Sequence, residues 1–356
     1  MATPTKKPIS ALTDMAELKR LLANEGTASQ RKQINRKDLT DHLASKVRGQ
    51  DEAIEQVASA VFAGYAKQKR SRPVATFLFV GPPGVGKTET AKALAEHLFG
   101  SDKDMLVLNG AEYQHADEGV MKLVGAGPAY KGSEQGGTLT RPMFGKKERV
   151  ILFDEIEKMN PRCYDVLLSL LQDGYVVEGG SNKRADFTSS VVLMTSNLDH
   201  DKCANIAQSV TEIEARTAAY KEHFNARGFA RPEILDRIPD IVYFKPLAVE
   251  VLAEVVVQKI QALASEYGIA LEHVEPMAAY RLLDSVMKGQ GGIRAIMQTA
   301  ERRLGPDFAD LSSQKITTAV VVWREDRLQA LAGTSVAPTQ IQPATSRPSE
   351  MPTRQQ

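Results

Sequence analysis

Between residues 75 and 244 the chain alternates short apolar runs with longer segments of helical period. The runs at 76–80, 105–108, 149–153, 191–194 and 241–244 are apolar at successive positions rather than at every second one. That pattern predicts strands of a parallel sheet buried on both faces. Helical patterns separate them. After the first run Ala91, Leu94, Ala95, Leu98 and Phe99 share one face, and further helices are expected at 161–172 and 212–225. Ahead of the first run, a helix following Val47 places Ala53, Val57, Ala60 and Val61 together, with Asp51 and Glu52 at its positive end. Alternating strands and helices predict an α/β fold with a parallel five-stranded sheet covered by helices.

The rhythm changes at Pro246. Helices are expected at 249–267, 276–288 and 293–304 with one strand at 317–322, which describes a small, mainly helical unit. Upstream, 11–23 and 36–45 have helical character around a polar stretch at 24–33, and basic side chains outnumber acidic ones. This leader reads as a docking arm for a partner, or as a packing extension or solvated segment. From Gly333 onward Pro, Thr, Ser and Gln dominate, so a disordered tail is expected. The expected divisions are therefore 1–37, 38–246, 247–332 and 333–356.

Composition narrows the function classes. A charged content of 25% and a net charge of +1 over 356 residues describe an ordinary globular chain. They give no global electrostatic reason to expect nucleic acid or an acidic membrane. Cys163 and Cys203 lack metal-ligand spacing and make no disulfide framework, which suits a reduced compartment. No apolar run approaches membrane-spanning length, and no signal core follows Lys6 and Lys7, so the chain reads as cytoplasmic.

The candidate chemistry begins where the first strand ends. Gly81-Pro82-Pro83-Gly84-Val85-Gly86-Lys87-Thr88-Glu89 contains the spacing G-x-x-x-x-G-K-[ST] between a strand and a helix. Glycines there let backbone N–H groups curl around phosphate oxygens, and the helix N-terminus favours negative charge. Lys87 is expected to reach the β- and γ-phosphates of ATP, and the Thr88 hydroxyl to ligate Mg²⁺. The strand at 149–153, purely apolar from Val150, runs into Asp154-Glu155. Asp154 is placed to hold Mg²⁺, and Glu155 to orient and deprotonate an attacking water. The next strand ends in Thr195-Ser196-Asn197, and Asn197 is expected to meet the same water or the γ-phosphate.

Taken in order, VRGQDEAI (47–54), FLFVGPPGVGKTETAKALAEHLF (77–99), KLVGAGPAYKGSEQGGTLT (122–140), VILFDEIEKMNPRCYDVLLSLLQDG (150–174), VVLMTSN (191–197), RPEILDRIPDIVYFKPL (231–247) and GGIRAI (291–296) resemble the Clp unfoldase and disaggregase family of AAA+ ATPases. The likeness is to that family's second ATPase module and spans roughly 38–328. It implies a P-loop module followed by a small helical lid. It also implies adenine packing at Val47 and Arg48, a first sensor at Asn197, and an arginine finger at Arg237 supplied in trans. Arg231 is a weaker candidate for that finger, and a surface ion pair to Asp236 or Asp240 is the competing reading of Arg237. Arg294 matches the second sensor. Tyr130 falls on the aromatic pore-loop position that grips polypeptide, with Lys131 where the family has a small aliphatic residue.

The function this implies is a Mg·ATP-dependent, ring-forming motor, a hexameric homo-oligomer, that hydrolyses ATP and unfolds, threads or remodels protein substrates. An adaptor could dock on the N-terminal extension. No Ile-Gly-[Phe/Leu] tripeptide lies between 197 and 231, which argues against a peptidase partner. The family's N-terminal substrate domain, first ATPase module and coiled-coil middle domain have no counterpart, so the chain reads as a single-ring protein or a fragment. The competing functions are a nucleic-acid motor or loader, favoured only by Lys183-Arg184 and the basic leader, and an ATP-regulated scaffold.

Overall fold

A computed structural model describes residues 34–130, 132–229, 231–287 and 293–333. The chain divides after Pro246 into two compact units.

The first unit opens with α1 (Arg36–Lys46), capped by the Asn35 side chain on Lys37 N–H, and α2 (Asp51–Ala66). Then follow β1 (Ala75–Val80), α3 (Lys87–Phe99), β2 (Met105–Asn109), α4 (Ala116–Val124), α5 (Arg141–Gly145), β3 (Val150–Asp154) and α6 (Cys163–Asp173). A hairpin of β4 (Tyr175–Val177) and β5 (Arg184–Asp186) leads to β6 (Val191–Ser196), α7 (His200–Ser209), α8 (Ile213–Arg227), α9 (Pro232–Arg237) and β7 (Asp240–Tyr243). Five strands form one sheet in the order β2-β3-β6-β1-β7, and every pairing is parallel. The apolar runs explain the order. All residues of β1 and β6, and the first four of β3, are buried, whereas β2 at the edge is largely open. Helix α7 falls where no periodicity was read.

The parallel arrangement puts the C-terminal ends of β1, β3 and β6 side by side, with Val80 opposite Ser196 and Phe153 opposite Met194. Each of those strands runs straight into one of the candidate chemical segments, so the fold itself gathers them.

The second unit holds α10 (Val249–Glu266), β8 (Ala270–Val274), α11 (Pro276–Met287), α12 (Ile293–Ser313), β9 (Thr318–Arg324) and β10 (Arg327–Ala332). Periodicity pointed to one strand here, at 317–322; the described residues of the unit form three, ordered β10-β9-β8. Its core joins Ile260, Leu282, Leu304, Phe308 and Val321. The expected helix at 11–23 and all but the first residue of the expected tail lie outside the described residues. Among the described residues no helix is long and apolar enough to cross a membrane.

Candidate functional site

The glycine loop follows β1 without a break. Gly81, Gly84 and Gly86 all have positive φ, at 139°, 78° and 109°. A Cβ on Gly81 would collide with the Phe244 carbonyl, so only glycine passes there. Gly86 caps α3, whose N-terminus meets the loop and favours an anion there. Val47 is buried, and its Cγ1 lies 2.9 Å from where a Cβ on Gly86 would stand, so it packs directly on the loop; Arg48 beside it is exposed. Gln50, 1% exposed, fastens the loop from behind. Its Nε2 donates to Val85 O at 3.1 Å and Lys245 O at 2.8 Å, and its Oε1 accepts from Lys245 N. A cavity of about 300 Å³ opens beside it, lined in part by Ala53, Ala204, Ala207 and Tyr243.

Lys87 is buried, and its ammonium donates to Gly81 O (2.6 Å), Pro82 O (2.7 Å) and Asn197 Oδ1 (2.8 Å). Burial pushes its pKa down to about 8, while Glu157, Asp154, Cys203 and Glu155 pull it back up. Asn197, expected as the first sensor, therefore touches the loop lysine directly. Asn197 also reaches the acidic pair: its Nδ2 lies 3.5 Å from Glu155 Oε1.

Asp154 accepts from Thr195 Oγ1 at 2.5 Å, and the same hydroxyl accepts from Glu155 N at 3.0 Å. Glu155 stands in the left-handed region with φ 54°, which turns its carboxylate away from the strand direction. Its Oε2 accepts from Lys158 Nζ at 2.6 Å across one short 3₁₀ turn, Ile156–Lys158. That bond is the main reason the Lys158 ammonium is held above its usual pKa. The sequence reading passed over Glu157. Its Oε1 accepts from Asn197 N at 3.1 Å, and its buried Oε2 has no partner. Thr195 and Gln50 were visible in the quoted motifs, as a polar strand end and as part of the 47–54 segment, but their bracing roles emerge only from the fold.

The donor set suits the expected cofactor. A hydroxyl at Thr88 and a carboxylate at Asp154 are hard oxygen ligands of the kind Mg²⁺ shares with phosphates. Among the described residues no cluster of three His, Cys, Asp or Glu side chains could hold a metal alone, and Mg²⁺ at a phosphate site does not require one.

Arg237 takes neither of its alternative partners. Its Nη2 donates to Gln172 Oε1 at 3.1 Å, its Nε is buried without a partner, and among the described residues it makes no ion pair. Gln172 lies at the far end of α6 from Tyr164, whose hydroxyl donates to Ile156 O beside Glu155. Eight residues of helix separate the two, roughly 12 Å at the helical rise. Arg231 is tied to Asp165. Tyr130 is 61% exposed at the tip of its loop. Lys131 lies outside the described residues, as does the Arg294 side chain, although Arg294 itself falls within α12.

Comparison with known proteins agrees with this geometry. Residues 72–241 match the family model described as AAA domain (Cdc48 subfamily). Heat shock protein 100 of Trypanosoma brucei brucei is 41% identical over 224 residues, covering 62% of this chain and 25% of that protein. The chaperone protein ClpB of Lactiplantibacillus plantarum is 40% identical over 228 residues, 64% of this chain and 26% of that one. ClpB of Meiothermus ruber is 41% identical over 242 residues, 66% and 27% respectively. The matched region thus spans about a quarter of each relative's length. A nucleotide-binding loop, an acidic strand end and a polar strand end brought together on a five-stranded parallel sheet, with these matches over the same residues, mean that the chain carries an AAA+ ATPase module of the Clp disaggregase family.

Proposed function

We propose that this chain is a Mg·ATP-dependent motor that assembles as a hexameric ring and unfolds, threads or remodels protein substrates through a central channel. The observation that carries the reading is the single hydrogen-bonded group formed by Lys87, Asn197 and Glu155, with Asp154 braced beside it by Thr195. Residues 38–246 are taken as the nucleotide-binding domain and 247–332 as the lid. The extension at 1–37 is taken as a packing extension or solvated leader, or else a docking arm for an adaptor, and 333–356 as a tail.

In this mechanism the backbone N–H groups between Gly81 and Glu89, Pro82 and Pro83 having none, bind phosphate oxygens, and Lys87 exchanges its carbonyl partners for them. Val47 and Arg48 border the adenine. Thr88 and Asp154 hold Mg²⁺, which when bound offsets charge on the β- and γ-phosphates. Glu155 takes the proton of the attacking water once Lys158 releases its Oε2, and Asn197 orients that water. Arg237 reaches a neighbouring copy, consistent with the helix length separating it from its own Glu155. Arg294 acts from the lid as second sensor. Tyr130 and Lys131 grip the substrate; an exposed aromatic on a glycine-flanked loop makes apolar and stacking contacts with almost any side chain.

Two variants test this. Glu155→Gln is expected to bind ATP and keep the assembled ring while turnover falls about 10²- to 10⁴-fold; brisk hydrolysis by it overturns the water-activating role. Tyr130→Ala is expected to keep ATPase activity and lose substrate processing, and undiminished processing overturns the grip. A nucleic-acid motor is favoured by the exposed Lys183 and Arg184 and by the basic leader, most of which lies outside the described residues, but Arg184 stacks on Tyr175 at 4.5 Å rather than joining a basic track. Salt-sensitive DNA binding that stimulates turnover would establish that reading instead.

A further inference from the structure

The β4–β5 hairpin and the loop carrying Tyr130 are stacked backbone on backbone. The chain leaves α4 at Gly125 and returns at Gly136 and Gly137, where Thr138 N and Leu139 N donate to Lys122 O (2.8 Å) and Leu123 O (3.0 Å). A Cβ on Gly137 would collide with Leu123 O, so the two ends of the loop are closed on each other. The hairpin tip covers both ends. Gly179 N donates to Val124 O at 2.8 Å, a Cβ on Gly179 would collide with Gly125 O, and one on Gly180 with Ser133 O. Neither Gly179 nor Gly180 has positive φ, so these glycines serve close approach alone.

Glu178 completes the joint. It is 2% exposed and accepts from Ser181 Oγ and from Thr140 Oγ1 at 3.5 Å. Its Oε1 lies against Gly136, where a Cβ could not fit. Among the described residues it makes no ion pair. A carboxylate buried with hydroxyl partners only is costly unless its shape and acceptors are used. Here they span hairpin, loop and α5 approach at once. The hairpin is also continuous with both arms of the nucleotide site. It follows α6, which is anchored at Ile156 O beside Glu155, and it leads into β6, which Asn197 follows directly.

We propose that the hairpin is the lever that moves the Tyr130 loop, with Glu178 as the positioning residue that fastens one to the other. The inference rests on the gripping role given to Tyr130 above. Glu178 acts here through its size and its acceptor oxygens, because among the described residues it makes no ion pair, although Arg141 and Lys183 line the same cavity. Glu178→Gln, which keeps both, is therefore expected to behave as the parent, whereas Glu178→Ala uncouples loop from hairpin.

Amide hydrogen exchange of the full chain, in Mg·ATPγS and in Mg·ADP, reads this directly. In the parent, protection of 125–137 and of 175–186 changes together between the two nucleotides. In Glu178→Ala, exchange over 125–137 is expected to quicken at least about tenfold and to lose its nucleotide dependence, with basal ATPase and KM for ATP within about twofold of the parent. Gly180→Ala, which adds one methyl against Ser133 O, must reproduce the uncoupling if Glu178→Ala lowers the thermal midpoint. Loop exchange unchanged in both variants, or Glu178→Gln failing as Glu178→Ala does, overturns the lever. Fluorescein-labelled casein separates the two levels of argument. Casein processing that survives Tyr130→Ala overturns the grip and leaves the exchange result standing, whereas processing lost in Tyr130→Ala but kept in Glu178→Ala overturns the lever alone.

Discussion

Lys87 ties the packing of the glycine loop to a measurable pH dependence. The residue is 6% exposed, and burial, the largest influence on it, brings its pKa from 10.5 to about 8. A shift of that size corresponds to roughly 3 kcal/mol between the charged and neutral forms. The sign follows from linkage. The folded pKa lies below the unfolded one, so the unfolded chain holds the proton more tightly, and folding stability rises as pH climbs from about 8 toward 10.5. A triphosphate beside the ammonium adds negative charge and raises its pKa, so binding takes up a proton wherever the free chain has lost one. At about pH 9 only about a tenth of the free chain carries the charge, and the Kd for Mg·ATP is expected to weaken about tenfold relative to about pH 7. The assay is titration of a fluorescent ATP analogue into Glu155→Gln protein, which is expected to hold the nucleotide with little turnover. Lys87→Arg, charged throughout, should bind more weakly with no slope over that range. A Kd that is flat in the parent refutes the burial argument, and a slope that persists in Lys87→Arg assigns the titration to another group.

Two further outcomes follow from the packing around the site. Arg237→Ala should lower turnover about 10³- to 10⁵-fold, and mixing it with Glu155→Gln subunits should restore part of the rate if the guanidinium acts on a neighbouring copy; no recovery in mixed assemblies argues for a purely structural bond to Gln172. Gly81→Ala should destabilise the first unit by about 1–3 kcal/mol in urea unfolding, because it adds a methyl against Phe244 O at a φ that disfavours any side chain, and an unchanged midpoint would show that the loop relaxes freely.

Much of the first unit was legible because its signals are local. Strands buried on both faces need unbroken apolar runs, and β1, β3 and β6 have them. The phosphate loop announces itself by glycines, whose positive φ values other residues adopt only at a cost. The strands missed in the second unit had no such signals. β8 reads Ala-Leu-Glu-His-Val and is mostly exposed, so it carries no apolar run. β10, Arg-Leu-Gln-Ala-Leu-Ala, is built from good helix formers and is strand only because it pairs antiparallel with β9. The turn that enforces the pairing is Glu325-Asp326, both at positive φ, where Asn-Gly would have been the recognisable sequence. Glu157 was missed for a different reason. Its use depends on Asn197 arriving from a strand forty residues later, a contact that no local pattern encodes.

The same long-range arrival explains why Glu155 sits where it does. A non-glycine residue at φ 54° costs about 1–2 kcal/mol, and nothing in the turn Ile156–Lys158 requires it. What holds it there is tertiary: its N–H is fixed by Thr195 of β6, one carboxylate oxygen by Lys158, and the other faces Asn197. Relaxing Glu155 into an ordinary conformation would turn the carboxylate out of this group and free the Thr195 hydroxyl to serve Asp154 alone. The strain therefore positions one oxygen toward the Lys87–Asn197 pair and leaves the other on a surface lysine that solvent can compete for. A carboxylate clamped at its backbone and loosely held at its head is poised to turn between Lys158 and a water with little structural change, which is what a base that works once per cycle needs.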